Sequence, residues 1–287
     1  MASAGPRPSP AELARRLEGA LRTVEVAAAV LMRHLGRLSG YDEKSAIDLV
    51  TAADRESEAA IAADLTARFP EDRLVLEETD GREGAAAKRS ATDAHAFTWC
   101  VDPLDGTTNF VHGFPSFAIS LGLLHHGEPV LGVVSAPAMD ERYLGGVGIT
   151  PERNGQRIAV SRVPTLSRAL LATGFPYDRR TRVDALLRPV RKVLLSAHDL
   201  RRCGSAALDL CHVAAGCLDG FFEEGLSPWD TAAGRAIVEA AGGRLSDYHG
   251  RPHSLYGPSI VASNGLVHDE LLAILESEGP PAAASNG

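Results

Sequence analysis

Apolar positions recur at helical spacing over Leu13, Leu17, Leu21 and Val24, directly after the stretch Ser9-Pro10-Ala11-Glu12. Ser9 is a capping residue, Pro10 suits the first helical position, and Glu12 completes a capping box. The pattern predicts a helix ending near Gly36 or Gly40. "YDEKSAIDLV" then reads as a polar loop leading to a second helix, "TAADRESEAAIAADLTARF", capped by Thr51. "RLVLEETDG" is a short apolar strand that ends in acid, and "AFTWCV" is another. The small, polar "GREGAAAKRSATDAHA" between them reads as a mobile loop. "SFAISLGLLHHGEPVLGVVSAP" predicts two strands joined at His126-Gly127, and Asn154-Gly155 is a strong hairpin signal.

After about residue 160 the texture changes. Strand-like "ALLATG", helix-like "RVDALLRPVRKVLLSA" and "SAALDLCHVAAG", strand-like "LDGFFEE" and helix-like "WDTAAGRAIVEAAGG" alternate, the pattern of an α/β lobe. No internal repeat is visible. "GGVG" at Gly145–Gly148 lacks the spacing and the strand-to-helix setting of a dinucleotide loop.

Composition narrows this picture little. The 287 residues are 45% hydrophobic and 23% charged, which suits a sizeable core. The net charge of -8 argues against nucleic acid or an anionic membrane as the main partner, although a bound cation would reverse the sign locally. Cys100, Cys203, Cys211 and Cys217 form no CxxC pair; they read as buried apolar residues, not as a disulfide scaffold. The first residues carry no apolar signal core, and no apolar run approaches membrane-spanning length. The expected location is the cytoplasm.

Candidate chemistry changes the picture more. Acids follow apolar runs three times: Glu77-Glu78 after "LVL", Asp102 and Asp105 around Pro103-Leu104, and Asp230 after Trp229. In a continuing strand Glu77 and Glu78 point to opposite sides, so one of them faces a site. Pro103 is expected to stop its strand and force a turn, so that Asp102, Asp105 and the Leu104 carbonyl converge. Carboxylates and a carbonyl form an all-oxygen donor set, which hard cations such as Mg²⁺ prefer. Gly106-Thr107-Thr108 follows at a predicted helix start, where backbone N–H groups can meet an anion. Taken singly, each feature has a plainer reading: Asp105-Gly106 as a turn, Asp230 as a helix cap, Asp54 as a first-turn acid favoured by the helix dipole. Together they point to metal-assisted phosphoryl chemistry. His95, His112, His125 and His126 carry no pattern that assigns them a role.

"WCVDPLDGTTNFVHGFP" and "PWDTAAGRAIVEAAGG" resemble the two signatures of the inositol monophosphatase family, Mg²⁺-dependent and lithium-sensitive phosphomonoesterases. "IDLVTAAD" and "CGSAALDLCHVAAGCLDGFFEEGLSPWD" resemble intervening blocks, so the likeness covers about residues 10–275. It implies an α+β fold, a layered αβαβα sandwich, over 9–277. The implied lobes are about 9–160 and 161–277, and the tails 1–8 and 278–287 are expected to be disordered. It implies a first cation held by Glu77, Asp102 and the Leu104 carbonyl, a second held by Asp102, Asp105 and Asp230, and a third, weaker one near Glu77. Thr107, paired with Asp54, would position the attacking water, and the Gly106 and Thr107 amides would hold the phosphate. Gly204, Ser205 and Glu223 would face the substrate's hydroxyls, and Lys44 would sit on a loop over the site. The resemblance further implies a homodimer that hydrolyses a small phosphomonoester, inositol 1-phosphate first, with histidinol phosphate, sugar bisphosphates or nucleotide phosphates as alternatives. From another class comes a regulatory binding protein that keeps the fold. Two departures stand out. Leu76 precedes Glu77 where the family has a small residue, and the loop from Lys44 to Asp48 is a residue short.

Overall fold

In the structure, a computed structural model, residues 8–37, 42–45, 48–80 and 96–278 are described, with no side chains described over 42–45 and 48–50. The expectations for "GREGAAAKRSATDAHA" and for the two tails therefore fall almost wholly outside the described residues.

The first helix begins as its sequence asks. The Ser9 hydroxyl accepts from the Glu12 N–H, and the Glu12 carboxylate accepts from the Ser9 N–H at 2.8 Å, opening α1 (Pro10–His34). The helix ends just before Gly36, whose φ of +72° suits glycine. Thr51 and Asp54 close a second capping box at the start of α2 (Ala52–Arg68). Between the helices, the segment read as a loop instead forms an antiparallel pair, β1 (Asp42–Ser45) and β2 (Asp48–Val50). A two-stranded pair is held by backbone ladder bonds, so it needs none of the apolar alternation that marks a strand in sequence.

A seven-stranded sheet follows in chain order, β3 (Arg73–Leu76), β4 (Phe97–Asp105), β5 (Ala118–His125), β6 (Glu128–Ala136), β7 (Glu141–Gly146), β8 (Ile149–Arg153) and β9 (Gln156–Arg157). Only β3 and β4 run parallel; the rest is an antiparallel meander. His126-Gly127 and Asn154-Gly155 make the hairpin turns, all four residues at positive φ, as two-residue turns of that kind require. Two expectations need correction. After Leu76 the chain does not continue as a strand but coils into one helical turn, α3 (Glu77–Asp80). Pro103 does not stop β4 either. The strand runs to Asp105, and the register slips between Asp102, opposite Ser120, and Asp105, opposite Ala118. The bulge tolerates a residue with no N–H to give to the ladder.

The short α4 (Thr107–Val111) leads out of β4. The second sheet has the order β11-β10-β12-β14-β13, built from β10 (Leu170–Thr173), β11 (Asp199–Arg201), β12 (Gly220–Glu224), β13 (Arg244–Ser246) and β14 (Ser259–Ser263). Its helices are α5 (Arg179–Ser196), α6 (Ala206–Ala214), α7 (Pro228–Ala240) and α8 (His268–Glu278).

Helices α1 and α2 pack on one face of the large sheet, while α6 and α7 fill the space between the two sheets. Helices α5 and α8 cover the far face of the small sheet. The result is the layered αβαβα order. The middle layer lies close because Gly122 and Gly132 have no Cβ; one on either would overlap α7 at Ala232 or Ala233. One apolar cluster joins Val134 and Tyr143 of the large sheet to Leu210, Ile237 and Phe221 across that layer. Cys100 and Cys211 are buried, but Cys203 is half-buried and Cys217 exposed, so the burial expected of all four cysteines fails for those two.

Candidate active site

A cavity of about 1070 Å³ opens where the ends of β4 and β12 meet the starts of α3, α4, α6 and α7. Its lining includes Glu77, Glu78, Asp105, Gly106, Thr107, Gly204, Ser205, Glu223 and Asp230. Asp54, Asp102 and Leu104 are buried behind that lining. Lys44 lies on β1, and its side chain is outside the described residues.

Local structure explains each position. The bulge in β4 sends the chain into Gly106, at φ +91°, where a Cβ would stand 2.9 Å from the Ser116 carbonyl. Asn109 Nδ2 donates to the Ser116 carbonyl at 2.6 Å and to the Cys203 carbonyl at 2.8 Å, drawing Gly204 and Ser205 towards α4. The Ser205 hydroxyl accepts from Leu208 N–H as the cap of α6, and donates to Asp105 Oδ2 at 2.6 Å. Asp105 Oδ2 also accepts from the Ala207 N–H at 2.8 Å. The Asp230 carboxylate accepts from the Ser227 N–H at 2.6 Å, which makes it the acid of a capping box and not the cap itself. The Thr107 hydroxyl lies 3.0 Å from Asp54 Oδ1 and 3.1 Å from the Leu104 carbonyl, to which it can donate.

The electrostatics are those of acids forced together. Burial holds Asp102 well above the usual carboxylate range, and the charges of Glu77, Asp105 and Asp230 push it further. Burial likewise raises Asp105, against the bonds from Ser205 and Ala207 and the nearby Arg202 charge. Asp54 is raised by burial, opposed by its bonds from Thr51 and Thr107. Glu223, on the β12 wall, stands well above its ordinary value, again by burial first, with Arg202 pulling the other way.

Does this set fit a cation? Among the described residues, no three His, Cys, Asp or Glu side chains are drawn together tightly enough to hold an ion as they stand. Asp102, Asp105 and Asp230 instead take local donors; Asp102 Oδ1 accepts the Leu104 N–H at 2.9 Å. A carboxylate has about four acceptor positions, so one or two such bonds leave room for more. The crowding at Asp102 points further: Asp102 is buried, the charges of Glu77, Asp105 and Asp230 disfavour its ionised form, and a cation bound there would stabilise it. The donors are all oxygen, which suits Mg²⁺.

Four residues of the site escape sequence reasoning. Arg202 lines the cavity and its charge acts on Asp105, Asp209 and Glu223. Asp209, also in the lining, is buried, and its Oδ1 has no hydrogen-bond partner. Gly174 faces Glu223 so closely that a Cβ would overlap the carboxylate. Glu58 accepts from the Glu78 N–H at 2.7 Å and the Thr79 hydroxyl at 2.6 Å. Only Asp209 carried a signal, an acid in the first turn of a predicted helix.

A model of the inositol monophosphatase family matches residues 12–279. The chain belongs to the inositol monophosphatase family. It is 40% identical to the inositol-1-monophosphatase of Synechocystis, over 92% of this chain and 89% of that one. It is 34% identical to the fructose-1,6-bisphosphatase/inositol-1-monophosphatase of Thermotoga maritima, over 91% and 95%. It is 38% identical to the Nus factor SuhB of Pseudomonas aeruginosa, over 91% and 96%. Among solved structures, the inositol monophosphatase of Anabaena superposes with a TM-score of 0.79 at 37% identity, covering 96% of this chain and 99% of that one. As a member of this family over nearly its whole described length, the chain is a phosphatase that hydrolyses phosphate monoesters.

Proposed function

We propose that this phosphatase acts on a polyol monophosphate, with inositol 1-phosphate as its best substrate, and uses two to three Mg²⁺ ions. One observation carries the reading. Buried Asp102 and the half-buried Glu77, Asp105 and Asp230, whose charges act on it, stand at a cavity whose lining also includes the buried carboxyl of Glu223. The acids and the Leu104 carbonyl would hold the cations. Bound there, the cations would neutralise the phosphate and lower the pKa of an attacking water.

This chain's residues do the rest. Thr107 directs its proton towards Asp54 or the Leu104 carbonyl, which leaves its oxygen lone pairs to accept from the water and aim it. The Gly106 and Thr107 amides hold phosphate oxygens. Glu223 accepts hydrogen bonds from hydroxyls of the leaving alcohol, and Gly204 and Ser205 leave room for its ring. The motifs supply no activated Cys or Ser, so displacement by water is direct. The domain is taken as 9–277 in two lobes, and the protein as a cytoplasmic homodimer with a small-molecule substrate. A net charge of -8 supports the absence of nucleic acid and membrane partners. No helix among the described residues is long and apolar enough to cross a membrane.

A regulatory binding role is the second reading, and the relatives named Nus factor SuhB favour it. The intact acids favour hydrolysis. The deciding experiment compares kcat/KM for inositol 1-phosphate, histidinol phosphate and fructose 1,6-bisphosphate, in wild type and in Glu223→Gln. Inositol 1-phosphate should lead in wild type and lose its lead in the variant, because a site built to accept its hydroxyls is left mismatched. A lead of tenfold or more for histidinol phosphate, about 1.4 kcal/mol, overturns the substrate assignment. Activity should also need Mg²⁺ and fall with Li⁺; activity unchanged in a strong chelator overturns the cation assignment.

A further inference from the structure

Helix α2 carries polar side chains on the face it buries. Asp54, Ser57 and Glu58 are 1%, 0% and 5% exposed. They stand at i, i+3 and i+4, which puts them together on one side of the helix. Burying such groups is costly unless each is hydrogen-bonded. Each is bonded, and each to a different segment of the site. Asp54 takes the Thr107 hydroxyl at 3.0 Å, at the start of α4. The Ser57 hydroxyl donates to the Pro103 carbonyl at 3.1 Å, inside the β4 bulge between Asp102 and Leu104. Glu58 uses both carboxylate oxygens on α3, one on the Glu78 N–H at 2.7 Å and one on the Thr79 hydroxyl at 2.6 Å.

These three segments come from separate parts of the chain. Glu58 reaches across 20 residues, Ser57 across 46 and Asp54 across 53. The α3 turn is four residues long, far below the length at which a helix holds itself in water. Its own contribution is the Asp80 carboxylate, which accepts the Leu76 N–H at 2.9 Å. Glu58 ties it to α2 from outside. The Glu78 N–H needs an acceptor, whereas the Thr79 hydroxyl can donate or accept, so a glutamine at position 58 can keep both bonds and an alanine neither.

We infer that Ser57 and Glu58 are positioning residues: one face of α2 acts as a ruler that sets Glu77 against Asp102 and the Leu104 carbonyl. Neither side chain touches the reacting atoms. This rests on the reading above that Glu77, Asp102 and Leu104 hold a cation.

The test is calorimetric titration of Mg²⁺ into the full-length, chelator-treated protein, alongside the Mg²⁺ dependence of phosphate release. The variants are Glu58→Gln, Glu58→Ala, Thr79→Val, Ser57→Ala and Glu77→Gln. Partners that orient a metal ligand typically contribute 10- to 100-fold in metal affinity, so Glu58→Ala should weaken Mg²⁺ binding about tenfold. Thr79→Val keeps one of the two bonds and should weaken it about threefold, with Ser57→Ala similar, while Glu58→Gln, which can keep both, should stay within about twofold of wild type. The half-activating Mg²⁺ concentration should rise in step, while kcat at saturating Mg²⁺ stays close to wild type. A purely structural role would lower the melting temperature without moving the Mg²⁺ affinity. The inference is overturned if Glu58→Ala and Thr79→Val both bind Mg²⁺ within about twofold of wild type. It is equally overturned if kcat falls at saturating Mg²⁺ with the Mg²⁺ dependence unchanged. If Glu58→Ala does not fold, Thr79→Val and Ser57→Ala decide. If Glu77→Gln binds Mg²⁺ as wild type does, the ligand reading itself fails and the ruler fails with it. If Glu77→Gln weakens binding and the α2 variants do not, the ruler alone is overturned.

Discussion

Asp102 is the residue on which the site turns. It is 2% exposed, and three other acids act on it. Asp102→Asn replaces the carboxyl with an amide of nearly the same shape, so the fold should hold while activity falls by at least about a hundredfold, the worth of a lost cation clamp on the transition state. Circular dichroism and turnover at saturating Mg²⁺ check both halves; near-normal turnover would contradict the ligand role. Gly174 makes a second residue-scale prediction. A Cβ there overlaps the Glu223 carboxylate, which must then move. Gly174→Ala should cost about tenfold in kcat/KM for inositol 1-phosphate, the scale at which a mismatched polar contact discriminates, and much less for p-nitrophenyl phosphate. Equal losses on both substrates would mean that the glycine serves the backbone and not Glu223. The acids were legible in the sequence because charge at the end of an apolar strand demands a partner. Gly174 and Glu58 were not, because their roles depend on residues 49 and 20 positions away (Glu223 and Glu78), which no local pattern encodes.

At the scale of elements, the caps at Ser9 and Thr51 were the most legible features, since a cap and the N–H it holds lie within three residues, while the boxes closed by Asp54 and Asp230 were not read. The β4 bulge was misread because Pro103 was judged by its missing N–H alone. Its strand neighbours on both sides keep the ladder, and the slip in register absorbs the gap. No periodicity marks β13 or β14, because strands of three and five residues are too short to show one. The two capping boxes at α1 and α2 separate stability from function. Ser9→Ala should cost about 1 kcal/mol of stability, as cap losses do, and leave activity unchanged, since Ser9 lies far from the cavity lining. Thr51→Ala should cost a similar amount and also reduce kcat, because the Asp54 of its box is the group that holds Thr107. Urea denaturation and steady-state kinetics on the pair distinguish them; equal activity in both variants would remove Asp54 from the water-positioning role.

The whole molecule assembles the site from both sheets. Glu77, Asp102 and Asp105 come from the ends of the large sheet, and Ser205, Glu223 and Asp230 from the small sheet and the middle layer. The alternation of elements in the second half was readable, but the order β11-β10-β12-β14-β13 is set by packing between distant segments. Two sets of buried groups tie stability to pH with opposite signs. Burial lowers His253 to about 3 and His268 to about 4, while the unfolded imidazoles titrate near their ordinary value. The unfolded chain thus takes up protons that the fold refuses. This part of the stability is whole above the ordinary imidazole value and is lost as pH falls towards 4. The raised acids act the other way. Asp102, Asp105, Asp209 and Glu223 hold protons in the fold that the unfolded chain has released, so they cost stability as pH rises past the ordinary carboxylate range. A cation bound among the first two should offset that cost and displace their protons. Mg²⁺ at about a hundred times its dissociation constant should therefore add about 2.7 kcal/mol, or roughly 4 to 5 °C in melting temperature for a chain of this size. Asp102→Asn should show little of this gain. The calorimetric heat of Mg²⁺ binding should vary with the buffer's ionisation enthalpy, more at pH 6 than at pH 8, because more of the displaced protons are present at the lower pH. A melting temperature indifferent to Mg²⁺, or a binding heat that is the same in every buffer at pH 6, would contradict the account of Asp102 and Asp105 as protonated acids that a bound cation ionises.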